Sequence, residues 1–225
     1  MAGYNLLSKI YRELLEPRGF FIEQHKLLLE LCDIFDVQPN ARILDAACGT
    51  GDVAVLLEGD GYEVFGIDGS SHQLSQWPQA GKGIERACHQ WEAVGSYFES
   101  QSNFDTVYVL GHSLPHLSLD KLPLFLKHIH DNLNSKGLFV FDVRQWDRCE
   151  NGALTQENRE IGVMRYLTNV HIDGVQHRAF ETVEYEGSTQ FVTYTLQSVT
   201  NTSLKLEETL SYHMYQLERC TWSTC

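Results

Sequence analysis

The sequence has no run of about 18 apolar residues, no C-x-x-C pair, no internal repeat, no low-complexity tract and few basic side chains. Each absence removes a class of protein. Without a long apolar run there is no candidate transmembrane helix. The opening "MAGYNLLSKIYREL" lacks the basic-then-apolar order of a secretory signal, so the expectation is a chain that stays in the cytoplasm. Six scattered cysteines (Cys32, Cys48, Cys88, Cys149, Cys220 and Cys225) fit reduced thiols better than a disulfide framework, which agrees with that compartment. Against 30 acidic residues stand only 17 Lys and Arg, a formal net charge of −13. That balance argues against a nucleic-acid partner, because sequence-independent affinity for phosphates comes from clustered cations. At 225 residues the chain is long enough for one full hydrophobic core with an elaboration.

What is present reads as three textures. In residues 1–40 the segment "FIEQHKLLLELCDIF" brings Phe21, His25, Leu28, Leu29 and Cys32 to one helical face and stops at "VQPNA", so this part is expected to be a helical cap. In residues 41–150 strand-length apolar runs ("ARIL", "YEVFGI", "FDTVYVL", "GLFVFDV") alternate with helical windows ("DVAVLLEGD", "SSHQLSQW", "SLDKLPLFLKHIHDNL"). That alternation predicts an α/β fold, a doubly wound parallel sheet with helices on both faces. In residues 151–225 the β-rich runs "VMRYLTNVHID", "QHRAFETVEYE", "TQFVTYTLQSV" and "LKLEETLSYHMYQL" are separated by "DG", "EGS" and "TNTS", which predicts an antiparallel meander.

The chemistry concentrates at "ILDAACGTG", residues 43–51. A strand runs into Asp45, small residues follow, and a helix begins near Asp52, so backbone N–H groups at a helix start face whatever sits above the sheet. Gly49 and Gly51 allow a ligand to touch the main chain. The next strand, "YEVFGIDGS", ends in Asp68, placed to accept the two hydroxyls of a ribose. Gly49-x-Gly51-x-x-Ala54 also satisfies a dinucleotide pattern, yet a pyrophosphate would be repelled by Asp45, whereas a ligand bearing an ammonium and a sulfonium would be attracted.

On these residues "ILDAACGTGDVAVLLEGDGYEVFGIDGS" resembles the first motif and following acidic strand end of the class I S-adenosylmethionine-dependent methyltransferases, a Rossmann-like family. The resemblance continues through "FDTVYVLGHSLPHL" and "LNSKGLFVFDVRQWD" and covers roughly residues 5 to 215. Within the family, "LGHSLPHL" and "FDVRQWD" are most similar to glycine and sarcosine N-methyltransferases, which have Asn where His112 stands and Arg where Arg144 stands. The resemblance implies S-adenosyl-L-methionine as cofactor. Asp45, Ala47, Gly49 and Gly51 would line its methionine part, Asp68 its ribose, Leu110 and Gly111 its sulfonium, and Gln90 and Trp91 its adenine. Trp91 has a second reading as a buried core aromatic. Arg18 is either a clamp for the methionine carboxylate or a solvated surface cation.

The resemblance implies a small-molecule methyl acceptor, a carboxylate-bearing amine, with Arg144 and His112 as the catalytic-site residues. Arg144 follows a strand end and a guanidinium grips a carboxylate with two hydrogen bonds; its other reading is a salt bridge to Asp142 or Asp147. His112 titrates near neutrality and could take a proton or orient the acceptor; its other reading is a packed polar residue. No metal site is expected: Pro115 lies between His112 and His116, and no third ligand is near. Ser113 lacks the G-x-S-x-G elbow of a serine hydrolase. A dinucleotide oxidoreductase, a methyltransferase with an oxygen acceptor and a non-catalytic binder of the cofactor are the rival readings. The family's sheet normally ends with a further helix and two strands, whereas here the chain stops at "YHMYQLERCTWSTC". The expectation is a core lacking those elements, with the meander, or a second subunit in a homo-oligomer, covering the edge beside the fifth strand.

Overall fold

The computed structural model describes residues 4–91, 94, 97, 103–143, 162–186, 189–201 and 203–213. Five strands form a parallel sheet: β1 (Arg42–Asp45), β2 (Glu63–Asp68), β3 (Glu85–Cys88), β4 (Phe104–Val109) and β5 (Leu133–Phe141), in the order β3-β2-β1-β4-β5. The chain moves outward one way from β1 and then returns to pair β4 on its other side. The crevice of this open sheet therefore lies at the carboxyl ends of β1 and β4, the switch point at which such folds bind ligands.

Consecutive residues of a strand point to opposite faces, and both faces here are apolar. Leu44, Phe65, Ile67, Val107 and Val109 pack with Trp91, Phe125 and Ile129, the last two on helix α5 (Leu122–Asn132). Ile43, Val64, Tyr108 and Val140 pack with Phe21, Leu28 and Cys32 of helix α2 (Phe20–Ile34) and with Val53, Ala54 and Leu57 of helix α3 (Asp52–Gly59). A short helix, α4 (Ser71–Ser75), is started by Ser70, whose hydroxyl accepts the Gln73 N–H at 3.3 Å. Strand β3 is not among the strands expected from the sequence: "ERAC" is charged and mostly exposed, and among the described residues it pairs with β2 alone.

The meander is a separate four-stranded antiparallel sheet of sequence neighbours, β6 (Arg165–Ile172), β7 (Val175–Glu186), β8 (Thr189–Ser198) and β9 (Lys205–His213). Helix α1 (Leu7–Leu15) packs chiefly on this sheet: Leu7, Ile10 and Leu14 join Val170, Ile172, Ala179, Leu196 and Leu210 in one buried cluster, while Tyr11 and Leu15 also pack against the cluster around Ile43 and Tyr108. The start of α1 is held by Glu208 of β9, whose carboxylate accepts the N–H groups of Asn5 (2.6 Å), Leu6 (3.2 Å) and Leu7 (2.7 Å). An anion there satisfies donors that no helical carbonyl can reach. Among the described residues no helix is long and apolar enough to cross a membrane, and Cys32, Cys48 and Cys88 are free thiols.

Candidate cofactor and acceptor site

The loop from Ala46 to Gly51 is held from all sides, and nearly every main-chain group in it has a partner. Ala46 N–H donates to Tyr108 O (2.9 Å), Cys48 N–H to Ile67 O (3.0 Å) and Gly51 N–H to Cys48 O (2.8 Å). Two indoles hold its carbonyls: Trp91 Nε1 donates to Ala46 O at 2.7 Å and Trp77 Nε1 to Gly49 O at 3.0 Å. Arg12 of α1 donates to Thr50 O (2.8 Å) and to Asp52 (2.6 Å), which fastens the helix to the loop.

The two glycines of the loop do different work. Both have positive φ, +52° at Gly49 and +75° at Gly51, which L side chains adopt at a cost. A Cβ at Gly51 would lie 2.3 Å from the Trp77 ring, so that glycine lets the indole pack. A Cβ at Gly49 would meet nothing within 4 Å. It would project into open space over the sheet.

That space has two adjoining lobes. One is lined by Tyr4, Ala46, Asp68, Gly69, Gln73, Trp91 and His116 among others. The other is lined by Phe20, Gln24, Asp45, Asp52, Tyr108, Leu110 and Gly111 among others. Tyr11, Ala47, Gly49 and Ser113 line both and mark the joint. One acidic strand end serves each lobe.

Asp68 accepts Gly49 N–H at 2.9 Å through one oxygen and Ser70 N–H at 2.7 Å through the other, so each oxygen keeps a lone pair for a ligand hydroxyl. Burial raises its pKa and the two N–H donors pull it back down. Asp45 is buried, accepting Tyr108 O–H at 2.7 Å and Ala47 N–H at 3.2 Å. Burial pushes its carboxyl up to about 7, against those two hydrogen bonds and with a smaller push from Asp68. It therefore titrates near neutrality until a cation arrives. Gln73 is 2% exposed, lines the first lobe, and its Oε1 has no hydrogen-bond partner among the described residues. An orphaned buried acceptor beside a glycine with open space is the signature of a site built for a ligand bearing donors.

Of the residues singled out in the sequence, Asp45, Ala47, Gly49, Asp68, Trp91, Leu110 and Gly111 line the lobes. Gly51 faces Trp77 instead. Gln90 lies beside the first lobe, but its Nε2 is spent on Gly69 O at 2.8 Å. Arg18 is exposed on a turn after α1 and lines neither lobe; the guanidinium at the loop belongs to Arg12. His112 is buried in the left-handed region with φ +57°, donates its backbone N–H to Asp142 at 2.9 Å and stacks on Tyr212 at 5.3 Å; it is not itself a lining residue, though its neighbours Gly111 and Ser113 are. Arg144 lies outside the described residues. Sequence reasoning missed Tyr4, Tyr11, Gln73 and the role of His116, which it weighed only as a metal ligand. The pairing of Tyr4 with His116 spans 112 positions, so no local pattern announces it.

Residues 43–137 match the family model described as a methyltransferase domain. The glycine N-methyltransferase of Mus musculus is 31% identical over 122 residues, 47% of this chain and 41% of that one. The chain spans about half the length, or less, of the curated relatives it matches. Among solved structures, an S-adenosylmethionine-dependent methyltransferase from Clostridium acetobutylicum superposes with a TM-score of 0.69 at 16% identity, covering 94% of this chain and 82% of that one. An amino pentose methyltransferase from Micromonospora echinaspora, solved with the cofactor bound, also gives 0.69 at 14% identity, covering 92% and 82%. The glycine loop and the two acidic strand ends lie within residues 43–137, the stretch that matches the methyltransferase-domain model, and the parallel sheet has the fold of these solved S-adenosylmethionine-dependent methyltransferases.

Proposed function

We propose that this chain transfers the methyl group of S-adenosylmethionine to the nitrogen of a small amine, such as an amino acid of the glycine and sarcosine kind or an amino sugar, in a cytosolic setting. The observation that carries the reading is a pair of carboxylates, Asp45 buried and Asp68 half-buried, one at each lobe of a cavity that joins over the bare backbone of Gly49. Asp68 and Gln73 would hold the hydroxyls and amino group of the adenosine half, with Trp91 against the base. Asp45, Ala47, Gly49, Leu110 and Gly111 would hold the methionine half. When bound, the cofactor supplies an electrophilic methyl group on a positively charged sulfur.

The chain's own contribution is alignment and dryness. A neutral amine is already a nucleophile, so the residues around the joint would have only to align it with the methyl group and to accommodate the positive charge it would gain. Fixed acceptors around the joint would favour that charge, and Phe20, Phe21 and Leu110 give the second lobe an apolar wall. The likeness to glycine N-methyltransferases supports a nitrogen acceptor, as does a sugar N-methyltransferase among the structural neighbours. If the acceptor bears a carboxylate, Arg144 is the residue proposed to grip it. Incubation with methyl-labelled cofactor and a pool of small amines, amino acids and amino sugars, followed by mass spectrometry, tests the reading; label recovered on oxygen, or on nothing while the cofactor binds, would refute it.

A further inference from the structure

The parallel sheet has two edge strands, β3 and β5, and they are guarded differently. β3 carries Glu85 and Arg86, exposed charges of the kind that keep an edge from pairing with another chain. β5 has no such guard. Leu138, Phe139, Val140 and Phe141 run without a charge, β5 pairs with β4 alone among the described residues, and Phe141 is 40% exposed. The meander does not take this edge, because its four strands form a sheet of their own. Leu27 and Ile34 of α2 add exposed apolar surface on the same side of the core. They lie on the side of the helix opposite His25, which bonds Asp60 at the end of α3, so they face away from α3 and towards β5.

The backbone of β5 fixes which groups the edge offers. Asp142 N–H reaches back to Val109 O on β4 at 3.3 Å, and successive residues of a strand turn their main-chain groups to opposite sides, so those of Gly137, Phe139 and Phe141 point away from β4. Turned about a two-fold axis at Phe139, this edge matches itself. Phe139 then exchanges hydrogen bonds with its own copy, Phe141 comes opposite Gly137, Leu138 opposite Val140, and Lys136 opposite Asp142. Opposed residues of an antiparallel pair share a face, and the faces agree: Phe139 and Phe141 stack on one at 5.3 Å between centroids, while Leu138 and Val140 pack on the other with the cluster of α2. Gly137 has no side chain where the ring of the second copy's Phe141 would lie. The exposed Lys136 meets a carboxylate in a chain whose net charge is otherwise −13.

We propose that two copies of this chain join through β5, antiparallel about a two-fold axis at Phe139, so that their parallel sheets become one continuous sheet. The self-match in charge, size and backbone direction is what selects a second copy over another protein. A two-fold contact closes on itself, so the assembly stops at two. A ladder this short is small against the roughly 1,600 Å² that a standard interface buries, and Phe141, Leu27 and Ile34 supply the flanking apolar area. The contact also reaches the site. Asp142 holds the His112 N–H between Gly111 and Ser113, which line the lobes, and Lys136 of the second copy would sit beside that carboxylate.

Sedimentation equilibrium of the full chain over a wide concentration range tests this, and it should show one reversible step from monomer to dimer with nothing larger. Phe141→Lys puts a charge on the edge and should weaken the dimer at least about tenfold. Lys136→Glu sets like charges opposite each other twice and should weaken it at least about fivefold; the side chain is exposed, so this variant keeps the fold even if Phe141→Lys does not. Hydrogen exchange gives a second readout. The amides of Phe139 and Phe141 should exchange slowly where the dimer is populated and quickly on dilution to monomer. A chain that stays monomeric at all concentrations, a dimer indifferent to both substitutions, or an assembly that grows past two would overturn the proposal. So would amides that stay slow in the monomer, since that would mean that the chain's own carboxyl-terminal residues cover the edge.

Discussion

Replacing each glycine of the loop by alanine should break the protein in two different ways. Both residues sit at positive φ, and a Cβ in that region costs roughly 1–2 kcal/mol. At Gly51 the added methyl also falls 2.3 Å from the Trp77 ring, which is itself tied to Gly49 O, so the indole or the loop must shift. Overpacking of that kind adds about 1–3 kcal/mol. The sum for Gly51→Ala is about 2–5 kcal/mol, and at 2–4 °C per kcal/mol for a chain of this size the melting temperature should fall by roughly 4–20 °C. Gly49→Ala carries only the backbone cost, a fall of about 2–8 °C, because nothing lies within 4 Å of its Cβ. The order reverses for binding. The Gly49 methyl points into the joint of the two lobes and should weaken S-adenosylmethionine by at least about tenfold, or 1.4 kcal/mol. Scanning calorimetry and titration calorimetry read the two effects separately. Equal melting temperatures, or a Gly49→Ala protein that binds the cofactor normally, would refute the division of labour between the glycines.

Other perturbations follow from the same geometry. Asp68→Ala removes both ligand-facing lone pairs and orphans the N–H groups of Gly49 and Ser70, so cofactor affinity should drop at least about tenfold; an unchanged Kd in the folded variant would exclude the ribose role. Because the Asp45 carboxyl of the free protein is raised to about 7 and a cationic ligand favours its ionised form, cofactor binding should tighten from pH 6 to pH 8 and release protons near neutrality. Tyr108→Phe, by removing the donor to Asp45, should move that transition to higher pH, and a flat affinity profile would show that Asp45 does not face the cation. The sign for folding is opposite: the folded state holds the Asp45 proton more tightly than the unfolded one, so this group's contribution to stability is full below about pH 4 and is lost as pH rises through 7. Glu208→Ala leaves the start of α1 without its acceptor and should cost roughly 0.5–2 kcal/mol, read as a lower denaturation midpoint; an unmoved midpoint would mean that water replaces the carboxylate at no cost.

The parallel core was legible because each of β1, β2, β4 and β5 is a short apolar run ending at a functional or turn residue, and because buried strands need such runs on both faces. Strand β3 was not, since Glu85–Cys88 has no apolar pattern and forms only by pairing with β2 at the sheet's edge. The acidic strand ends and Gly49 could be placed from sequence because their positions follow from the strand-loop-helix connection alone. Gly51 could not be distinguished from Gly49, as the direction of a missing Cβ depends on Trp77, more than twenty residues on. Arg18 and Arg12 illustrate the same limit: both precede the core, but only the packing of α1 on the second sheet decides which guanidinium meets the loop. Tyr4, His116 and Ser211 belong together only after two sheets have formed and met.

The central claim is that the space between Asp45 and Asp68 is a seat for S-adenosylmethionine, and titration calorimetry tests it most directly. The folded chain should bind S-adenosylmethionine at one site, fail to bind NAD at the same concentrations, and lose at least about tenfold in cofactor affinity with Asp68→Ala. Tighter binding of NAD, or an Asp68→Ala protein that binds S-adenosylmethionine as the native chain does, would contradict the account.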